Sequence, residues 1–249
     1  TLSAPATAVA GGPPITVSDT TKNQGAGAAD TSTTGFYLST NSTFDAGDLP
    51  LGSRTVPALA PGATSAASTP LTIPTGIAAG TYYVIARADA DALVAETKEN
   101  NNTGADSVQI GADLVIAVLS VPVTAGAGTT IAVSDTTKNQ GGAAADISTT
   151  AFYLSTNNAF DAGDLPLGSR AVPTLAASAT SSGSTSVTIP VGAAPGAYYV
   201  IARADADGVV VESQEGNNAS ARSILIGSDL IVAAISAPTT AAAGATITV

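Results

Sequence analysis

The stretch GTYYVIARADAD at positions 80–91 is a β-branched and aromatic run, opened by glycine and closed by an Asp-containing turn. That composition reads as a strand. The stretch returns as GAYYVIARADAD at 196–207, and DTTKNQG at 19–25 returns at 135–141. Both are offset by 116 residues. Aligned at that offset, residues 15–110 and 131–226 are identical at 66 of 96 positions without a gap. A third copy opens near the C-terminus, where DLIVAAISAPTTAAAGATITV at 229–249 matches DLVIAVLSVPVTAGAGTTIAV at 113–133. The chain reads as a window cut from a tandem array. A period of 116 is too long for a solenoid unit and is the size of a domain with its own core. The expected units are 1–111, lacking the start of its first strand, then 112–227, and at 228–249 the first strands of a third repeat.

Composition narrows the chemistry. Cys, His, Met and Trp are all absent. This excludes disulfides, thiol catalysis, soft metal sites and histidine acid–base work. The net charge of −11, from 19 acids against 8 bases, disfavours nucleic acid and anionic membrane as partners. No apolar run approaches ~18 residues, so no membrane contact is expected of this segment. Serine is abundant, but no histidine can serve as its base. Paired carboxylates such as Asp89 and Asp91 adjoin a hairpin without an aromatic platform for a sugar. An enzyme is not expected.

The second copy is complete and gives the element order. Apolar run 113–121 is strand A, ended by Pro122. Residues 130–137 alternate, with Ile131 and Val133 on one face, as strand B, and KNQG at 138–141 is its turn exit. Strand C is 150–156, a short strand follows at 167–172, strand E is 186–189, F is 197–204 and G is 220–226. Seven short strands with Gly, Pro, Asn and Asp turns predict an all-β fold. The expected architecture is tandem immunoglobulin-like (fibronectin type III-like) seven-stranded β-sandwiches in a head-to-tail rod. The links, 111–112 and 227–228, are two residues long and permit little bending.

The phase of strand F sends Tyr82, Val84 and Ala86, with Tyr198, Val200 and Ala202, inward. Tyr82 and Tyr198 stand two residues after a glycine, as in a tyrosine corner, or serve as ordinary core aromatics. The opposite phase of strands C and F carries Tyr37, Tyr83 and Ile85, and Tyr153 and Tyr199, as a candidate interaction patch. Asp19 and Asp135 fall on the inward phase of strand B, where an unpaired carboxylate is costly. A bulge is the expected remedy, with Thr hydroxyls and backbone N–H groups as the other.

These elements resemble the CARDB family, the cell-adhesion-related domain found in bacteria. The resemblance rests on Asp113-Leu114-Val115, on KNQG at 22–25 and 138–141, and on GTYYVIARAD at 80–89. It rests also on E-x-x-E-x-N-N, formed by Glu96, Glu99, Asn101 and Asn102 and by Glu212, Glu215, Asn217 and Asn218. It covers nearly the whole repeat. It implies an immunoglobulin-like sandwich in large secreted prokaryotic proteins, hence an extracellular, cell-surface location. The expected role is a repetitive stalk or filament-forming segment, with itself or neighbouring surface proteins as partners. The alternative is an adhesion module that recognises a glycan or protein through its tyrosines.

Two acidic clusters recur. One follows strand C: Asn41, Asp45 and Asp48, then Asn157, Asp161 and Asp164. The other lies between F and G: Asp89, Asp91, Glu96 and Glu99, then Asp205, Asp207, Glu212 and Glu215. Hard oxygen ligands suit Ca²⁺, although no EF-hand spacing is present. Head-to-tail stacking would carry Asp45 and Asp48 of the first copy toward Asp113 and the F–G acids of the second. Calcium at that junction is one expectation, and turn capping answered by Lys138, Arg170 and Arg203 is the other. Lys22 with Asn101 or Asn102 and a nearby glutamate would supply an isopeptide crosslink only in a buried pocket. Asn41, Asn101 and Asn218 head glycosylation sequons.

Overall fold

The computed structural model describes residues 1–228 and 230–249. Asp229, which opens the third copy, lies outside the described residues. The first repeat contains β1 (Leu2–Ser3), β2 (Thr7–Ala8), β3 (Ile15–Lys22), β4 (Ser32–Ser39), β5 (Leu49–Val56), β6 (Thr64–Leu71), β7 (Gly80–Arg87) and β8 (Thr103–Ile110). The second contains β9 (Leu114–Ser120), β10 (Thr124–Ala125), β11 (Thr130–Asn139), β12 (Ser148–Ser155), β13 (Leu165–Val172), β14 (Thr180–Thr188), β15 (Gly196–Arg203) and β16 (Ala219–Ile226). Among the described residues there is no helix.

Each repeat is a sandwich of a three-stranded and a five-stranded sheet. The orders are β1-β3-β6 over β2-β8-β7-β4-β5, and β9-β11-β14 over β10-β16-β15-β12-β13. The first strand is split. Pro122 has no N–H to continue the ladder, and the chain crosses to the other sheet, where Thr124 and Ala125 pair parallel to β16. Between the sheets Phe36 and Phe152 are fully buried at the centre of each core, with Val17, Leu38, Val84 and Val108, or Val133, Leu154, Val200 and Ile224. Burying each such side chain contributes about 1.5–3 kcal/mol.

Strand F keeps its expected phase. Val84, Ala86, Val200 and Ala202 lie in the cores, and Tyr82 and Tyr198 pack half-buried against them. Tyr82 and Tyr198 act as core aromatics; among the described residues neither hydroxyl bonds to the E–F loop. The opposite face differs from expectation. Ile85 and Ile201 are 0% exposed, and Tyr37, Tyr83, Tyr153 and Tyr199 are half-buried. The loop after β4 folds back over this face. Phe44 stacks on Tyr37 with ring centroids 4.7 Å apart, and the Arg87 guanidinium lies 5.0 Å from the centre of the Phe44 ring. Phe160, Tyr153 and Arg203 repeat the arrangement at the same distances. The surface expected to be sticky is therefore roofed by the repeat's own loop.

Strand E is longer than the sequence pattern indicates. β14 pairs with β11 from Thr180 to Thr188 without a break. Its outer positions are Ser and Thr, which bond across the ladder to strand B (Thr136–Ser182 2.9 Å, Thr130–Thr188 3.0 Å). Such pairs hold a strand without hydrophobic alternation.

The buried carboxylates also differ from expectation. The β11–β14 register runs unbroken through Asp135, and the bulge lies on the other side, between Thr136 and Thr137 against β9. Asp135 is satisfied chiefly by Arg170 from β13, and in part by the expected threonine hydroxyl, since Thr137 Oγ1 donates to Oδ2 at 3.3 Å. Arg170 Nε donates to Oδ1 at 2.8 Å and Nη2 to Oδ2 at 2.6 Å, and Nη2 also donates to the Ser181 carbonyl at 2.8 Å. Arg54 grips Asp19 and Ser65 in the same way. Each fork joins the edge strand of one sheet to the middle strand of the other across the open side of the sandwich.

Candidate functional site

The link between the repeats is where the recurrent polar motifs meet. Gly111 takes a left-handed φ of +119° and its carbonyl accepts from Ala143 N at 3.0 Å. Ala112 is buried and its carbonyl accepts from Ser213 N at 2.8 Å. Asp113 is 3% exposed and is held from every side. Its N–H donates to Asn139 Oδ1 (3.1 Å), and its carbonyl accepts from Gln140 N (2.7 Å). Its carboxylate accepts from Gln140 Nε2 and Asn217 Nδ2, both at 2.9 Å. Leu114 N donates to Glu212 Oε2 at 2.8 Å, and Leu114 itself is fully buried.

KNQG is thus the receptor of the link. Asn139 is fully buried and holds its own loop through Ala143, Leu175 and Gly141. Gly141 must be glycine, because a Cβ there would sit 2.4 Å from the Gly111 carbonyl oxygen and 2.6 Å from the Ala112 carbonyl carbon. In E-x-x-E-x-N-N, Glu212 receives Leu114, Asn217 receives Asp113, Asn218 Nδ2 donates to Glu212 Oε1 at 3.2 Å, and Glu215 accepts from Glu212 N at 3.2 Å. Ala112, Leu114, Ala145, Val172, Leu175, Ala204 and Val210 close a second small core beneath this hairpin. Sequence reasoning carried Glu212 and Glu215 toward Asp113 as acids but missed the Asn139, Gln140 and Asn217 amides that receive it, since the two motifs lie about 75 residues apart in the chain.

Glu212 carries the electrostatic cost of this packing. Burial pushes its carboxyl up to about 7, opposed by the Leu114 N–H and reinforced by Glu215, Asp205 and Asp113. Burial also raises Asp205, against the N–H groups of Val210 and Val209. Among the described residues the Asn218 and Asn217 Oδ1 atoms and Ser213 Oγ are buried without partners beside this cluster.

The structure brings together Asp113, Asp205, Glu212 and Glu215 from the set expected at the junction. It leaves the others at separate tasks. Asp45 Oδ1 accepts from Gly47 N (2.7 Å) and Asp48 Oδ2 from Asp45 N (2.9 Å), and Asp161 and Asp164 repeat this pair. The Gly163 N–H, then the Asn157 amide, lowers Asp161. Asp207 receives Thr149 N and Oγ1; burial pushes it up, but the Thr149 bonds more than offset this and leave it lowered. Arg203 is engaged over Phe160, and Arg170 is engaged with Asp135. Among the described residues no group of three or more acidic side chains is arranged to hold a metal ion.

The family model for CARDB matches twice, at residues 1–106 and 111–222. The chain belongs to the CARDB family. Similar solved structures include the CARDB domain of a Pyrococcus furiosus protein in complex with di-metal ions. It is 19% identical over 47% of this chain and 94% of that chain, with a TM-score of 0.37. A domain assigned to a cell surface protein of Methanosarcina acetivorans is 18% identical over 47% and 94%, with a TM-score of 0.35. Red sea bream transglutaminase is 12% identical over 92% of this chain and 31% of that one, with a TM-score of 0.48. No curated protein matches the chain. The CARDB repeat is a cell-surface-related module, here in tandem.

Proposed function

We propose that these CARDB repeats are spacer units of a secreted prokaryotic surface protein. They set the distance and angle between whatever lies at the two ends of the array, and they carry no catalytic role. The supporting observation is the link. A two-residue connection could be a hinge, yet the Gly111 and Ala112 carbonyls accept from Ala143 and Ser213 of the second repeat, Ala112 is buried, and Asp113 and Leu114, which follow the link, are fixed by bonds of their own. The side chains that hold Asp113 and Leu114, those of Asn139, Gln140, Glu212 and Asn217, recur 116 positions away as Asn23, Gln24, Glu96 and Asn101, so further junctions in an array would be held alike. Recognition through exposed tyrosines is less well supported, because the loop bearing Phe44 or Phe160 roofs that face.

The chain has no cysteine, so a single Cys on each repeat allows a clean spin-label pair. Pulsed electron resonance should return one narrow inter-repeat distance distribution, and Asp113→Ala should broaden it. A broad distribution in the unaltered link would overturn the spacer reading.

A further inference from the structure

Beside the link, the second repeat also touches the body of the first. Gly142, the residue after KNQG, lies on Ala8 of β2. A Cβ placed on Gly142 would stand 2.6 Å from the Ala8 carbonyl oxygen, 3.0 Å from its carbonyl carbon and 3.1 Å from its nitrogen. All three atoms are backbone, so no side chain can turn aside. Ala8 is buried and pairs with Ile110, the last residue of β8 before Gly111. The seat on Ala8 and the held link therefore stand side by side, at the ends of neighbouring strands. One tether leaves a body free to tilt about it. A second contact beside the tether fixes the tilt.

The second repeat does not need this glycine for itself. Gly142 has no left-handed φ, so its own backbone accepts a side chain. The first repeat carries alanine at the same place in the motif: KNQGA at 22–26 stands against KNQGG at 138–142. Gly141 is a different case. Its Cβ would meet the link backbone, and both copies have glycine there, as Gly25 and Gly141. One glycine of the pair thus serves the link, and the other serves the neighbouring repeat.

We infer that residue 142 sets the angle at which a repeat sits on the one before it, with glycine closing the seat and alanine opening it. This rests on the spacer reading and names the residue that tunes it. Ordinary contact between carbon and a carbonyl oxygen is about 3.3–3.6 Å, so a Cβ at 142 must open the 2.6 Å seat by about 0.7–1.0 Å. The pivot at the link is about one strand spacing away, roughly 4.8 Å, so the second repeat tilts by about 10°. Asn139, Gln140, Glu212 and Asn217 keep their hold on Asp113 and Leu114 throughout. The tilted junction is therefore as well fixed as the closed one. Repeats of the two kinds mixed in one array give it a bend.

Pulsed electron resonance on the 249-residue chain tests this, with two spin-label pairs, one on each face of the sandwiches. A 10° tilt carries a label about 20 Å from the joint by about 3–4 Å. Gly142→Ala should therefore move the distance maximum of at least one pair by that order and leave the distribution narrow. Gly142→Ser should move it the same way. Both variants should keep the parent's circular dichroism spectrum, since the first repeat's loop already carries a side chain at this place. Maxima unmoved in both pairs, or distributions that only broaden about the parent maximum, would overturn the inference and leave the spacer reading standing. Loss of the spectrum would do the same, by showing that the loop itself needs the glycine. A broad distribution in the parent would overturn both readings.

Discussion

Asp135 and Arg170 form the costliest buried pair in the second repeat, with side chains 0% and 13% exposed. Removing one partner strands a buried charge, so Arg170→Ala should cost about 3–5 kcal/mol in urea unfolding. Asp135→Leu with Arg170→Met should recover most of it, since a packed apolar pair of similar volume avoids desolvation. A single variant within about 1 kcal/mol of the parent would show that water answers Asp135. The sequence flagged the carboxylate through strand phase but not its partner, because Arg170 lies 35 positions away on an edge strand whose alternation is weak. Glu212 makes the second residue-scale case. Its folded carboxyl titrates near 7 against 4.5 when free. Between those values the folded protein holds a proton that the unfolded chain has released, so its contribution falls as pH rises across the window. Below 4.5 the contribution is fully present. A protonated Glu212 can also donate to Asn218 Oδ1 once that amide turns. Melting temperature should therefore drop from pH 5 to pH 8, and Glu212→Gln should flatten the drop. An equal slope in both proteins would place the titrating group elsewhere.

Among elements, those with alternating bulky residues were legible and those without were not. Strands B, C, F and G carry Val, Ile, Phe and Tyr at period two, and all four form close to their expected limits. β14 offers only Ser, Thr and Gly over most of its length, so its first six residues, 180–185, were invisible. The loop after strand C hid its role differently. Its acids suggested a ligand site, while its one aromatic residue does the covering. Phe160→Ser should cost about 1 kcal/mol by removing the Tyr153 stack and the Arg203 contact. It should also expose Tyr153, which tyrosine fluorescence quenching would register without interference from tryptophan. Unchanged quenching would mean that the cover comes from the sheet itself. In the same loop, Asp161→Ala removes the acceptor of the Gly163 N–H and should lower the melting temperature slightly, equally in calcium and in EGTA. A loss confined to the calcium sample would return these acids to a metal role.

For the whole molecule, the repeat offset alone revealed tandem domains, but not that the opening residues of the second repeat close a small core of their own. Asp113 and Leu114 belong by sequence to the start of a domain, and by packing they close its second core against KNQG and the F–G hairpin. They stand at the entry to that repeat, so loosening them should act on it and leave the core of the first repeat alone. Leu114→Ala should cost the second repeat about 2–5 kcal/mol in thermal unfolding of the 249-residue chain. Hydrogen exchange should place the loss in the segments around Val210 and Asn217, which pack on Leu114 and bond to Asp113. Asp113→Ala should give a smaller loss in the same segments, since it removes only the bonds from Gln140 and Asn217. If exchange around Val210 and Asn217 is as slow in Leu114→Ala as in the parent, the F–G hairpin holds itself and the entry residues serve the link alone.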